Sequence, residues 1–221
     1  EAGKLREFKK VPARQQWRQI LTTLQASSHP WITWKDTINP RALNNNTSTI
    51  HSSNLCTEIT LPNDAKNISV CNLVSINLSA FLDVETNQWD WDRLESASRS
   101  AIRQLDNLCD VTDTPIPEAI NSIRTTRALG LGIMGFTDVI EKLGYSYESE
   151  NAYDTMDQLT EFISYYAIDE SAELAKVKGS YPDFKGSGWS KGLLPIDTID
   201  LLAKDRKVKV DMTRKTRLDW E

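Results

Sequence analysis

Two short runs with strand character, Leu55–Leu61 and Val70–Leu78, are separated by a Pro62-Asn63-Asp64 turn, and most of the chain after them has helical periodicity. Leu94, Ala97, Ala101, Leu105 and Leu108 form one apolar stripe, opened by a capping-box pattern of Asp92 with Glu95. Pro117 starts a second helical pattern that runs towards Leu143 and stops at Gly144. A third pattern carries Leu159, Phe162, Ile163, Tyr166 and Leu174 and ends near Gly179. Buried-looking strands beside long amphipathic helices predict α/β layering rather than a helical bundle.

Upstream of the strands, Pro12 suits the first turn of a helix, on which Trp17, Ile20, Leu21 and Leu24 recur up to a Ser27-Ser28-His29-Pro30 break. Trp31-Ile32-Thr33-Trp34 is a β-prone run, and a polar loop with Asn39-Pro40 and Asn44-Asn45-Asn46 follows it. From Tyr181 the chain is turn-rich, and the basic Val208–Arg217 stretch predicts a hairpin. The expected organisation is therefore an N-terminal helical segment (1–30), strands with a site loop (31–80), helices (81–180) and a turn-rich end (181–221). Glu1 in place of Met, and Leu218-Asp219-Trp220-Glu221 as the capped first turn of a helix that stops, read as the ends of a segment or split product.

With 39% hydrophobic and 26% charged residues, the chain has enough apolar material for a core and an ordinary globular surface. A net charge of −5 gives no general attraction to nucleic acid or to an anionic membrane. No apolar run approaches the roughly 20 residues needed to span a bilayer. Three cysteines without a CxxC pair make neither a disulfide framework nor a zinc site and fit a reducing, cytoplasmic setting. His29 and His51 lie in separate loops without ligand-like spacing. The basic residues from Lys204 to Arg217 lack interleaved aromatics and read as solvated surface rather than as a nucleic-acid site.

Chemistry concentrates in Ser53-Asn54-Leu55-Cys56-Thr57-Glu58-Ile59. If this run is extended, Leu55, Thr57, Ile59 and Leu61 share one face that anchors the strand. Asn54, Cys56 and Glu58 share the other, with Cys56 and Glu58 about 7 Å apart. A thiol between an amide and a carboxylate suits a substrate with adjacent hydroxyls. The same spacing also fits a half-buried edge strand whose cysteine is inert packing. Gly130-x-Gly132-x-x-Gly135 matches a dinucleotide-binding pattern literally, but Ser122–Leu129 reads as helix, so close packing is the better reading of these glycines. Tyr165 and Tyr166 read as packing residues, since Tyr166 lies on the apolar stripe.

The Ser53–Ile59 heptapeptide resembles the active-site signature of the ribonucleotide reductase large (catalytic) subunit. Three further blocks match that family in order: Val70-Cys71-Asn72-Leu73 leading to Ile76-Asn77-Leu78, then Arg127-Ala128-Leu129-Gly130-Leu131-Gly132, and Gly192-Leu193-Leu194-Pro195-Ile196-Asp197-Thr198. The resemblance runs from about Trp17 to the end. It implies part of a large α/β barrel of parallel strands, with the Cys56 segment entering the barrel centre. Cys56 would carry the thiyl radical that removes the ribose 3′ hydrogen. Glu58 would be the general base on the 3′ hydroxyl, Asn54 would hold the ribose hydroxyls, and Cys71 would be one half of the dithiol that reduces C2′.

By the same resemblance the reaction is reduction of a ribonucleoside diphosphate to its 2′-deoxy form. The radical would come from a separate metal-containing small subunit, or from adenosylcobalamin in the alternative type. The segment itself would bind no cofactor, and ATP and dNTP effectors would bind outside it. Its partners would be the remaining large-subunit segments, the small radical-generating subunit, the ribonucleotide and a thioredoxin- or glutaredoxin-type reductant. The second reducing cysteine, the phosphate-binding loop, the relay tyrosines and the regenerating C-terminal cysteines lie outside these residues in the family. The isolated chain is therefore expected to be inactive. Cys109 matches no functional position of the family and is expected to be structural.

Overall fold

The structure, a computed structural model, describes residues 8–209 and 216–220. Its central unit is two parallel strands joined through helices. Strand β1 (Asn72–Asn77) leads through a 3-10 turn, Leu78–Phe81, to a small antiparallel pair, β2 (Leu82–Asp83) and β3 (Gln88–Trp89). Helix α3 (Trp91–Val111) and helix α4 (Pro117–Thr126) follow, and β4 (Leu129–Met134) then pairs parallel to β1. The register runs from Asn72 opposite Leu129 to Asn77 opposite Met134, so two of the family-like sequence blocks lie side by side. After β4 come α5 (Phe136–Lys142) and the long α6 (Glu150–Lys178). Among the described residues each sheet has two strands, so the parallel sheet is open.

The apolar stripes fold largely as their spacing predicts, except that Leu108, expected on the α3 stripe, is exposed. Leu94, Ala101 and Leu105 of α3 are buried, as are Leu159 and Ile163 of α6, and Leu94, Leu159 and Ile163 meet Ile76, Leu78, Leu82 and Val139 in the core. Each such side chain removed from water contributes about 1.5–3 kcal/mol. The cap of α3 is Asp90, which accepts from the Arg93 amide at 3.1 Å, while Asp92 lies inside the first turn. The capping box expected of Asp92 and Glu95 is corrected accordingly. Ser149 caps α6 by accepting from the Ala152 amide at 3.2 Å, and Gly179 ends it.

Three other expectations change. The pattern from Pro117 to Leu143 is a helix, a strand and a helix. Arg127, at φ 48°, takes the left-handed conformation that stops α4, and Asp106 and Asp110 hold its guanidinium at 2.7 and 2.6 Å. Trp31–Trp34 forms no strand, and Lys35–Arg41 is a short helix, α2, with Pro40 inside it. Leu55–Leu61 is a loop. Most of the basic stretch read as a hairpin lies outside the described residues.

Helix α1 (Ala13–Ser27) forms after Pro12 but buries no residue, leaving Trp17 and Leu21 exposed. Near the C-terminus, α7 (Thr198–Arg206) sits against α2, and Arg41 donates to the Thr198 hydroxyl at 3.2 Å. None of the described helices is long and apolar enough to cross a membrane.

Candidate active site

The site loop is fixed at its entrance by Asn39. Its amide donates to the carbonyl of Ile50 at 2.9 Å, and its carbonyl oxygen accepts from the Ile50 amide at 2.9 Å. Ile50 is buried, so the chain reaches Ser53 from an anchored point. At the exit, the Ile68 amide donates to the Glu118 carbonyl at 3.2 Å, and the Asn121 amide donates to the Asn67 side-chain oxygen at 2.6 Å. Helix α4 thus holds the segment that leads into β1.

Between these anchors the chain makes a tight turn rather than a strand. The Thr57 amide donates to the Asn54 carbonyl at 3.1 Å, which places Leu55 and Cys56 at the two corners. Thr57 sits at φ 62°, a left-handed conformation that is uncommon for a β-branched residue. Asn54 closes the loop with its side chain. Its carbonyl oxygen accepts from the Ile59 amide at 3.0 Å, and its amide donates to the Glu58 carboxylate at 2.7 Å. The Ser53 hydroxyl donates to the Ile59 carbonyl at 2.6 Å.

This geometry corrects the strand-parity argument. Leu55 is 95% exposed while Thr57 and Ile59 are half-buried, so the expected apolar strand face does not form as a unit. Asn54 and Glu58 are nevertheless neighbours, because a side-chain-closed turn joins them, and Cys56 stands exposed at its tip. Asn54 in this arrangement spends its amide on Glu58. Ser53 is a loop-closing residue that the sequence reading passed over; the affinity of Ser and Asn for local backbone groups was the available signal.

Cys71 precedes β1 and is half-buried. Pleating divides the residues of this sheet between its faces. Asn72, Val74 and Ile76 turn towards the helices, where Ile76 is buried. Leu73, Ser75 and Asn77 turn to the exposed face, with Gly130, Gly132 and Met134 beside them on β4. Cys71 belongs to the exposed face by parity. Burial first, and then the negative charges of Cys109 and Glu58, push its thiol above the ordinary cysteine value. The loop therefore brings Glu58 within electrostatic reach of Cys71. A thiol held protonated in this way is a hydrogen donor rather than a thiolate nucleophile at neutral pH.

Cys109 lies on α3, fully buried, and its sulfur accepts from the Asn72 side-chain amide at 3.5 Å. Burial raises its thiol as well. Because the side chains of Asn72 and Cys71 leave the strand on opposite sides, Cys109 belongs to the helix side of the sheet. A groove of about 330 Å³ runs between Pro62 and Asn67 on one side and Thr126 and Asp183 on the other; Cys56, Glu58 and Cys71 do not line it. Among the described residues no group of three His, Cys, Asp or Glu side chains is placed to hold a metal.

The open parallel α/β unit carries the Asn54–Glu58 turn in the loop before β1 and a half-buried thiol, Cys71, at the start of that strand. Comparison with known families shows where it belongs. The model of the ribonucleotide reductase barrel domain matches residues 1–221, and the chain belongs to that family. It is 44% identical to the ribonucleoside-diphosphate reductase subunit alpha of Chlamydia muridarum over all of this chain and 21% of that protein. It is 35% identical to the large chain of Neurospora crassa, over 86% of this chain and 20% of the relative. The large subunit of Variola virus is 35% identical over 88% of this chain and 25% of its own length. The chain thus spans about a fifth to a quarter of the length of these relatives. These comparisons lend no support to the adenosylcobalamin-dependent alternative.

Proposed function

We propose that this chain supplies the central part of the catalytic site of a ribonucleoside-diphosphate reductase, an oxidoreductase that makes 2′-deoxyribonucleotides. The observation that carries the reading is the closed turn, which holds the Glu58 carboxylate on the Asn54 amide and presents Cys56 at the tip beside them. Cys56, as a thiyl radical, takes the ribose 3′ hydrogen as a hydrogen atom, forming an S–H bond. Glu58 takes the proton of the 3′ hydroxyl, as a carboxylate in hydrogen-bond reach can. Asn54 orients that carboxylate and meets the ribose hydroxyls with what remains of its hydrogen-bonding capacity. Cys71, protonated on the exposed sheet face, is one of two thiols that together supply two electrons and two protons, so that the 2′ hydroxyl leaves as water, hydrogen takes its place at C2′ and the thiols end as a disulfide. The other thiol comes from a further segment of the large subunit.

In this reading β1 and β4 are two strands of a parallel barrel whose remaining strands lie elsewhere in the subunit. The exposed face that carries Leu73 and Ser75 looks into the barrel. A metal-containing small subunit generates the radical, and a thioredoxin- or glutaredoxin-type protein restores the dithiol in the cytoplasm. The test is complementation of this chain with the rest of a large subunit and a radical source. Deoxynucleotide forms with the wild-type chain, Cys71→Ser stops reduction at C2′, and the purified chain alone gives none. Deoxynucleotide formation by the Cys71→Ser assembly at the wild-type rate would remove Cys71 from the dithiol.

A further inference from the structure

A side chain is missing from the sheet at the place where the Cys71 thiol lies. Gly130 stands opposite Leu73 in the β1–β4 register, one diagonal step from Cys71 on the same face. A Cβ built at Gly130 would come within 2.8 Å of the Cys71 sulfur and 2.3 Å of the Leu73 side chain. Carbon and sulfur need about 3.5 Å or more, so any larger residue displaces the thiol. Backbone freedom is not the reason for this glycine, because the left-handed conformation found at Gly135 (φ 76°) is not required here. Gly132, two residues on and facing the same way, makes a useful contrast. A Cβ there would meet only the Ser75 hydroxyl at 3.3 Å and the Val74 carbonyl at 3.8 Å.

We propose that Gly130 is a positioning residue for Cys71: the space above its Cα is the slot that seats the thiol against the sheet. This inference rests on the reading of Cys71 as a reductant only for its catalytic consequence; the seating itself concerns this chain alone. Seated there, the sulfur lies 3.6 Å from the Asn72 carbonyl, in reach of a weak S–H contact. With the slot filled, the strand and the Leu73 side chain close off movement within the sheet. The thiol is then driven outwards, towards the face on which Leu73 is 58% exposed.

The experiment measures iodoacetamide labelling of each cysteine by mass spectrometry across pH, with Cys56 in the same molecule as the internal reference. Gly130→Ala is expected to raise the Cys71 rate relative to Cys56 by roughly threefold or more and to move its pH profile to lower pH, as for a solvated thiol. Gly132→Ala leaves the ratio at the wild-type value. The double variant Gly130→Ala with Leu73→Ala removes the severe Leu73 overlap, so it serves as the readout if the single variant fails to fold, and it keeps the raised Cys71 rate. A wild-type ratio in Gly130→Ala, or a return to it in the double variant, overturns the proposal. Turnover of the complemented enzyme separates the two claims. If Cys71 labelling changes but turnover does not, the seating stands and the reductant role of Cys71 falls.

Discussion

At the scale of residues, Asn54 decides the geometry of the site. One side chain fixes the Ile59 amide and the Glu58 carboxylate, so the turn and the orientation of that carboxylate are the same interaction seen from two sides. Asn54→Ala is expected to free both. Hydrogen exchange at the Ile59 amide should accelerate, and turnover of the complemented enzyme should fall by about tenfold or more, the equivalent of roughly 1.4 kcal/mol at the barrier. Unchanged exchange at Ile59 would show that the backbone turn stands without the side chain. The grouping of Asn54, Cys56 and Glu58 was legible in the sequence, but its cause was not. Alternation of apolar residues suggested a strand, whereas an isolated extended segment with no partner loses to side chains that satisfy the backbone locally. The space at Gly130 was visible only as a close-packing glycine, since its neighbour Cys71 lies far away in the chain.

At the scale of elements, the two long helices are joined by an ion-pair network. Arg99 of α3 contacts Glu95 at 2.8 Å, Asp169 at 2.7 Å and Glu170 at 3.3 Å, and Glu170 also accepts from Arg103 at 3.1 Å. Glu170 is buried, and its hydrogen bond to Arg103 holds its carboxyl below the ordinary value, with Arg99 adding to the effect. A carboxylate with a depressed folded pKa contributes stability that is present above its unfolded value, near 4.5. That stability is lost as pH falls below 4.5 and through the folded value. Glu170→Gln is expected to cost about 2 kcal/mol at neutral pH, less than a fully buried pair because Arg103 is half exposed. Urea unfolding at pH 7 and again in acid should show the difference between variant and wild type shrinking as the pH drops. A difference that persists undiminished in acid would assign the loss to packing instead.

The same scale shows what periodicity reads well and what it does not. Leu94, Leu105, Leu159 and Ile163 announce α3 and α6 because a 3.6-residue stripe is a local property. Strand β4 escaped because Gly130 and Gly132 occupy its exposed face and hide the alternation of Leu129, Leu131 and Ile133. Its strand character comes from pairing with β1, a long-range contact that no local window contains.

At the scale of the whole molecule, the described residues hold one parallel strand pair whose outer edges have no strand beside them, a face of Leu73 and Met134 open to solvent, and a helix α1 that buries nothing. The chain that carries those surfaces is about a fifth the length of the chlamydial relative. The proposal to test is that Cys56, at the tip of the turn, carries the thiyl radical that activates the substrate. It is tested by deoxyribonucleotide formation in the complemented enzyme, with wild-type chain and with Cys56→Ser under the same radical source. The predicted result is turnover in the first and none in the second, because a serine O–H does not give up its hydrogen atom as a thiol does. Undiminished turnover of Cys56→Ser would contradict the account.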